Sequence, residues 1–310
     1  MVAPQVDEVV SVDDGILAEL HALLDRVEDG SPGRGLSDDR LRALDRARRQ
    51  PGDRHVSCFA ARDGAGSLVG WAQIDGTDGG RVPSLEVAAL PDASPTVDRL
   101  LDAALGAHAT KGGGPLRWWV GHASPADDDR ATGRGFAVER ELLQMRCPLP
   151  LPTAVPAGAA TAPPPTRAFR PGFDEEDWLV QNNRAFADHP EQGRWDLPML
   201  LERTAEPWFD PDGFRVLEVD GRIAGSCWTK VHAAPAPPMG EIYVIGVDPD
   251  FHGRGWGRAL TVDGFSWLAA HGLRHGMLYV DAANRPAVGL YTSMGMTTHH
   301  VDRAYLRQSV

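Results

Sequence analysis

Lysine is almost absent from this chain. Of 31 basic residues only Lys111 and Lys230 are lysine, and with abundant Ala, Gly, Pro and Arg this reads as the mark of GC-rich coding. Arginine abundance therefore carries little functional meaning. Cysteine is scarce too: Cys58, Cys147 and Cys227 are isolated and odd in number, which excludes a disulfide framework and zinc-ligand spacing and suggests reduced thiols. No apolar run approaches the ~20 residues that span a bilayer, and the N-terminus has no basic region followed by an apolar core. A cytoplasmic protein without membrane attachment or metal is expected. The net charge of −12 argues against nonspecific binding of nucleic acid. A monomer is the expected state.

What is present first divides the chain. At 310 residues, two domains are the prior. The break is CPLPLPTAVPAGAATAPPPT (147–166), uncharged and unable to continue a helix or central strand. Domains of 1–149 and 167–310, joined by a Pro/Ala-rich linker over 150–166, are expected. The halves look like one pattern written twice. SCFAARDGAGSLVGWAQI parallels FRVLEVDGRIAGSCWTKV, and the segment from Leu116 aligns without a gap on the segment from Gly276, Val120 against Val280 and Gly135 against Gly295. Each half opens with a helical region (DDGILAELHALLDRV; EEDWLVQNNRAFADH), followed by a hairpin, strand, helix, strand, short helix and strand. That order predicts an α/β (α+β) domain with a mixed sheet.

The most informative stretch is EIYVIGVDPDFHGRGWGRAL (241–260). EIYVIGV reads as a buried strand. RALTVDGFSWLAAHG has helical spacing with Gly272 as a C-cap. Between them stand three glycines and two arginines. Glycines at a strand-to-helix turn supply φ > 0 and let a ligand approach without a Cβ in the way. The helix start offers unpaired N–H groups and the positive end of the dipole, and Arg254 and Arg258 add charge at the rim. The loop looks built for a pyrophosphate. The two common phosphate motifs do not match: GK[ST] is absent, and GRGWGR does not meet GxGxxG.

The motifs Val247-Asp248-Pro249, His252-Gly253-Arg254-Gly255-Trp256-Gly257, and Asn284-x-x-Ala287-x-x-x-Tyr291-x-x-x-Gly295-Met296 stand in this order over about 60 residues. Together they resemble the GNAT acetyltransferase superfamily, which implies two tandem GNAT domains. The resemblance implies that acetyl-CoA is the cosubstrate. It would be held by Ile245, Gly246, Val247, His252, Gly253, Arg254, Gly255, Trp256, Gly257 and Arg258, and by Asn284, Arg285, Ala287, Val288 and Gly289. It also implies that the strand before the loop splays from its neighbour, with the Val247 N–H polarising the thioester carbonyl. In the N-terminal copy SPTVDR (94–99) replaces HGRGWG, Ser124 replaces Asn284 and Ala131 replaces Tyr291. Glu241 falls opposite Pro83, with Glu86 nearby. The N-terminal copy is expected to be catalytically silent.

Acetyl transfer to an amine needs a base, stabilisation of the developing oxyanion and an acid for the leaving thiolate. Glu241 is the candidate base, Tyr291 the candidate acid and the Val247 N–H the oxyanion donor. AFADHPEQGRW, WFDPDGF, CWTKVH and LYVDAANRPAVGLYTSMGM resemble, more particularly, the mycothiol synthase family, densely over 165–310 and thinly over 1–149. That resemblance implies acetylation of the cysteinyl amine of a glucosaminyl-inositol pseudodisaccharide, contacted by Glu191, Lys230, Glu241 and Tyr279. Asp38 is the nearest match to the family's N-terminal substrate acid, shorter by a methylene. Another small amine, such as an aminoglycoside, or a protein N-terminus is the alternative acceptor, and an acyl-CoA sensor without turnover is the alternative class. His299 and His300 read as surface histidines.

Overall fold

The computed structural model describes residues 4–30, 33–50, 55–76, 82–91, 94–151, 164–187, 189, 192–233 and 237–308. Most of the expected linker and Glu191 lie outside these residues. The chain forms two compact units, Met1–Leu142 with His300–Val310, and Leu143–His299. The division expected from the linker therefore differs from the division by packing. The end of the last strand belongs to the first unit, and residues 143–149 belong to the second.

Unit 1 contains β1 (Gln5–Val9), α1 (Asp14–Gly30), α2 (Asp38–Arg49), β2 (Val56–Arg62), β3 (Leu68–Asp75), β4 (Ser84–Ala89), α3 (Ser94–Thr110), β5 (Leu116–Val120) and α4 (Pro125–Gly133). β6 (Ala137–Pro148) begins in unit 1 and ends in unit 2. Unit 2 continues with β7 (Thr166–Ala168), α5 (Glu175–Ala185), α6 (Leu197–Thr204), β8 (Phe214–Val219), β9 (Arg222–His232), β10 (Met239–Val247), α7 (Trp256–Ala270), β11 (His275–Asp281) and α8 (Arg285–Ser293). β12 (Thr297–Arg307) starts in unit 2 and carries the chain back into unit 1.

The strands of unit 1 run in the order β1-β2-β3-β4-β5-β12, and those of unit 2 in the order β6-β11-β10-β9-β8-β7. In unit 1, β4 and β5 are parallel and the assigned neighbours on either side are antiparallel. In unit 2, β10 and β11 are parallel, with antiparallel pairs from β10 through β7. The expected mixed sheet is therefore found in both. At the gapless register of the halves, α4 and α8 have matching bounds, and β6 and β12 begin at matching positions.

The alternation of β9 and β10 distributes side chains to two cores. Cys227 and Ile242 join Leu260, Phe265 and Leu268 of α7 on one face. Phe214, Trp228 and Val244 join Trp178 of α5 and Leu200 of α6 on the other. Close approach explains two glycines. A Cβ on Gly264 would lie 2.4 Å from the Cys227 sulfur, and one on Gly240 would lie 2.8 Å from Leu268. His300 corrects the sequence reading: it is buried and stacks on His122 with centroids 4.7 Å apart, whereas His299 is exposed. Adjacent strand residues face opposite ways, and only one of these faces is open.

Candidate active site

The site is framed by two strands that part. β10 and β11 pair only over Gly240–Ile242 and Gly276–Leu278, although β10 continues to Val247 and β11 to Asp281. β10 keeps its pairing with β9 to the end. Its register shifts between Ile242 and Val244, so Tyr243 is the extra residue of a bulge. Beyond it, the Asp248 N–H donates to the Ala224 carbonyl at 2.9 Å. Antiparallel pairs alternate in hydrogen bonding. Ile245 and Val247 therefore turn their N–H groups away from β9, toward the side from which β11 has departed. This is the splay that the superfamily resemblance implies.

Asp248 starts the turn that follows. Arg184 of α5 grips it at 2.7 and 3.2 Å, and it accepts from the Asp250 N–H at 3.0 Å. Burial pushes its carboxyl up, but the Arg184 bonds, the Asp250 N–H and the nearby guanidinium charges together hold it below the usual range. A short 3-10 turn, Pro249–Phe251, leads into the glycine loop. Gly253 and Gly255 have φ of +75° and +78°, a region costly to side chains with a Cβ. Gly255 caps α7 without any side-chain cap. Gly257 differs: inside α7, its missing Cβ would meet only Leu290, at an ordinary 3.8 Å.

The remaining loop residues divide into those that build it and those that face outward. His252 Nε2 lies 2.9 Å from the Val247 carbonyl and closes the turn. The Trp256 ring is buried, stacked on Phe251 at 5.3 Å, so its backbone is what a ligand would meet. The Arg254 guanidinium lies over both rings, 5.1 and 5.2 Å from their centroids. Arg258 bonds Ser293 Oγ at 2.5 Å, while its Nη1 is buried with no partner in the protein. An orphaned cationic donor beside two left-handed glycines fits the pyrophosphate of acetyl-CoA.

Across the splay, α8 opens on Asn284, whose side chain accepts from the Ala287 N–H at 3.2 Å. Ser124 holds the same position before α4, where its N–H and hydroxyl donate to the Asp127 carboxylate at 3.0 and 2.7 Å, so in both units this residue ties down the start of the short helix. Ala287 and Val288 pack on the core, while Arg285 and Gly289 are exposed. Tyr291 is 7% exposed. Burial pushes its phenol well above the ordinary value, and nearby Cys227 acts in the same direction, so it stays protonated at neutral pH.

The acceptor side lies on the α5/α6 face of the same strands. Glu241 pairs in register with Lys230 on β9 and Met277 on β11, and is 7% exposed. Lys230 extends over Trp208 and Tyr243, with its Nζ 4.8 and 5.8 Å from the ring centroids. Tyr279 follows Met277 on the same face of β11 and is the partly exposed member of the group. Asp38 begins α2 and belongs to unit 1. Glu191 lies outside the described residues; beyond it, Trp195 is tied to α5 through Asn183, which bonds both its carbonyl and its N–H, at 2.8 and 3.1 Å.

Four residues here escaped sequence reasoning. His232 Nε2 lies 2.6 Å from Glu241 Oε2. Gln144 donates to the Tyr279 hydroxyl at 2.6 Å, and Arg146 donates to Gln144 at 2.6 Å. Gln181 accepts from Ser226 Oγ at 3.1 Å, leaving its buried Nε2 without a partner, 3.4 Å from where a Cβ on Gly246 would lie. His232 had a signal, two positions beyond Lys230 and so on its face. The others depend on contacts far apart in sequence. Among the described residues no cluster of His, Cys, Asp and Glu forms a metal site, and no helix is long and apolar enough to cross a membrane.

Comparison with known proteins agrees with this geometry. Residues 176–296 match the acetyltransferase (GNAT) family model. The chain is 44% identical over 258 residues to the mycothiol acetyltransferase of Acidothermus cellulolyticus, covering 77% of this chain and 76% of the relative. It is 46% identical over 258 residues to that of Thermomonospora curvata, covering 81% and 82%. Among solved structures, a tandem GNAT protein from the clavulanic acid biosynthesis pathway superposes with TM-score 0.70 at 13% identity, covering 98% of each chain. A GCN5-related N-acetyltransferase from Sphaerobacter thermophilus gives 0.65 at 19% identity, covering 98% and 95%. The parted strands, the glycine loop and this degree of identity lead to one conclusion: the chain belongs to the mycothiol acetyltransferase family of GNAT acetyltransferases.

Proposed function

We propose that the protein transfers the acetyl group of acetyl-CoA to the cysteinyl amine of desacetylmycothiol (Cys-GlcN-Ins), giving mycothiol and CoA. The observation that carries this reading is the grouping of Glu241, Lys230 and Tyr279 on one face beside the parted strands. A carboxylate, an ammonium and a phenol suit a polyhydroxylated acceptor of low net charge. An aminoglycoside, a polycation, would instead require a cleft dominated by carboxylates. The names of the relatives favour the same acceptor.

In this reading Glu241 takes a proton from the acceptor ammonium, directly or through water. The Val247 N–H, aimed into the splay, meets negative charge developing on the carbonyl oxygen. Tyr291, held neutral by burial, gives its proton to the departing sulfur. Acetyl-CoA, when bound, supplies the activated acyl group. The loop from His252 to Arg258 holds its pyrophosphate, Ile245 and Gly246 its pantetheine arm, and the start of α8 its remaining length. Lys230, Tyr279 and Glu191 contact the acceptor. Unit 1 is catalytically silent.

The test is a mass-spectrometric assay of the purified protein with acetyl-CoA. It offers the cysteinyl-glucosaminyl-inositol amine beside aminoglycosides and an N-terminal peptide. Acetylation of the first alone, with release of CoA, is expected. Acetylation of another acceptor in its place refutes the assignment of substrate and retains the chemistry.

A further inference from the structure

We propose that His232 is the positioning residue of the general base. Its imidazole binds one oxygen of Glu241, fixes the carboxylate, and leaves the other oxygen for the acceptor. This rests on the assignment of Glu241 as the base.

His232 ends β9, and alternation puts it on the face of Lys230, the cross-strand partner of Glu241. Its Nε2 lies 2.6 Å from Glu241 Oε2, a close hydrogen bond. The carboxylate side chain is 9% exposed and the imidazole 26%, so the pair is sheltered on the base's side and open on the histidine's. The surroundings offer few competing charges. On β9 the Lys230 ammonium lies over Trp208 and Tyr243. On β11 the groups of this face are Tyr279, bonded to Gln144, and Asp281. On α5, Gln181 is neutral and Arg184 is engaged with Asp248.

A carboxylate this buried needs a hydrogen-bond donor to offset its burial. His232 supplies it from outside the reacting atoms. It fixes the direction of the carboxylate as an outer-shell partner fixes a ligand. Without the imidazole, the carboxylate is free to turn away from the acceptor.

The experiment measures kcat and the KM for the acceptor for His232→Ala, His232→Gln, His232→Asn and Glu241→Gln in the full chain. The expected result for His232→Ala is a fall in kcat of about tenfold, a small part of the 10²–10⁴ of a full acid–base contribution. The KM for the acceptor should stay within about twofold, with binding of acetyl-CoA unchanged by calorimetry. Gln, whose amide reaches where Nε2 stands, should return kcat toward its original value; Asn, which is shorter, should not. This Gln–Asn contrast tests the idea even if the alanine variant fails to fold. Equal losses from Gln and Asn, or a loss that falls on KM alone, would overturn the proposal and leave Glu241 as the base. If Glu241→Gln itself keeps kcat, the underlying assignment fails, whatever His232 does.

Discussion

The two units share a frame and differ where an acetyltransferase must act. In both, the central parallel pair is joined over three residues and then parts: Ser84–Glu86 with Arg117–Trp119 in unit 1, Gly240–Ile242 with Gly276–Leu278 in unit 2. With Val120 set against Val280, the position of Glu241 falls on Ser84, which corrects the sequence register of Pro83 or Glu86. Lys230, opposite Glu241, becomes Asp75, opposite Ser84. Arg40 of α2 fills the place. Its guanidinium bonds Ser84 Oγ and lies 3.2 Å from both Asp75 and Glu86, and Ser37 also donates to Glu86, twice at 2.8 Å. In unit 1 the place that Glu241 holds in unit 2 is occupied by a residue of its own helix. Parting strands thus belong to the frame, and what stands beside them decides the chemistry.

The cofactor side differs just as clearly. With Pro91 set against Pro249, Ser94 stands against His252. α3 begins at Ser94, whereas α7 begins only at Trp256, about one helical turn later. In unit 1 the extra turn takes backbone groups into the helix that unit 2 leaves open in its loop. Ala131, in the place of Tyr291, is buried and has no proton to give.

The largest effect expected from breaking this contrast is at Glu241. Glu241→Gln should lower kcat by about 10²–10⁴-fold and leave acetyl-CoA binding by calorimetry nearly intact. Glu86→Gln should leave kcat unchanged. An equal loss from Glu86→Gln would mean that unit 1 takes part in the chemistry.

Arg40 should matter for stability instead. Arg40→Met leaves buried Asp75 and half-buried Glu86 without their guanidinium, and breaking a buried pair costs about 3–5 kcal/mol. Urea unfolding should show that loss, with kcat per folded molecule unchanged. A fall in kcat without a loss of stability would contradict the assignment of Arg40 as a plug.

Much of this contrast was legible in the sequence, for a definable reason. Glycines, a proline stop, a capping Asn and a tyrosine two turns along a helix act within a few residues of each other, so their spacing carries the geometry. Arg40 bonding β3 and β4, Gln144 reaching Tyr279, and the last strand joining unit 1 depend on contacts that spacing does not encode. Glu241 was visible as a strand residue, but its fixed partner His232 depended on the β9–β10 register. A single bulge at Tyr243 sets which side chains share that face.

Gly255→Val tests the loop by giving unit 2 the residue that unit 1 carries there, Val97. Gly255 has φ +78°, whereas Val97 lies inside a helix. A β-branched residue in the left-handed region costs about 1–2 kcal/mol or more, so the loop should be driven out of shape. The expected result is a KM for acetyl-CoA raised about tenfold, the kinetic equivalent of 1.4 kcal/mol, with kcat at saturation nearly kept. An unchanged KM would sink the assignment of this loop to the pyrophosphate.

The smallest effect separates the third glycine from the other two. Gly257 stands where unit 1 has Arg99, a residue of α3 that carries a full side chain. Its own backbone is helical, and an added Cβ would find Leu290 at 3.8 Å, an ordinary contact. The protein therefore does not require glycine here. Alanine in a helix is favoured over glycine by roughly 0.5–1 kcal/mol, because glycine loses more backbone freedom on folding. Gly257→Ala should raise the unfolding midpoint slightly and keep the KM for acetyl-CoA within about twofold, since the two turn-forming glycines are untouched. A large rise in KM together with the gain in stability would show that the cosubstrate passes within contact of this Cβ. Gly257 would then be kept for the ligand, whereas Gly253 and Gly255 are kept for the turn.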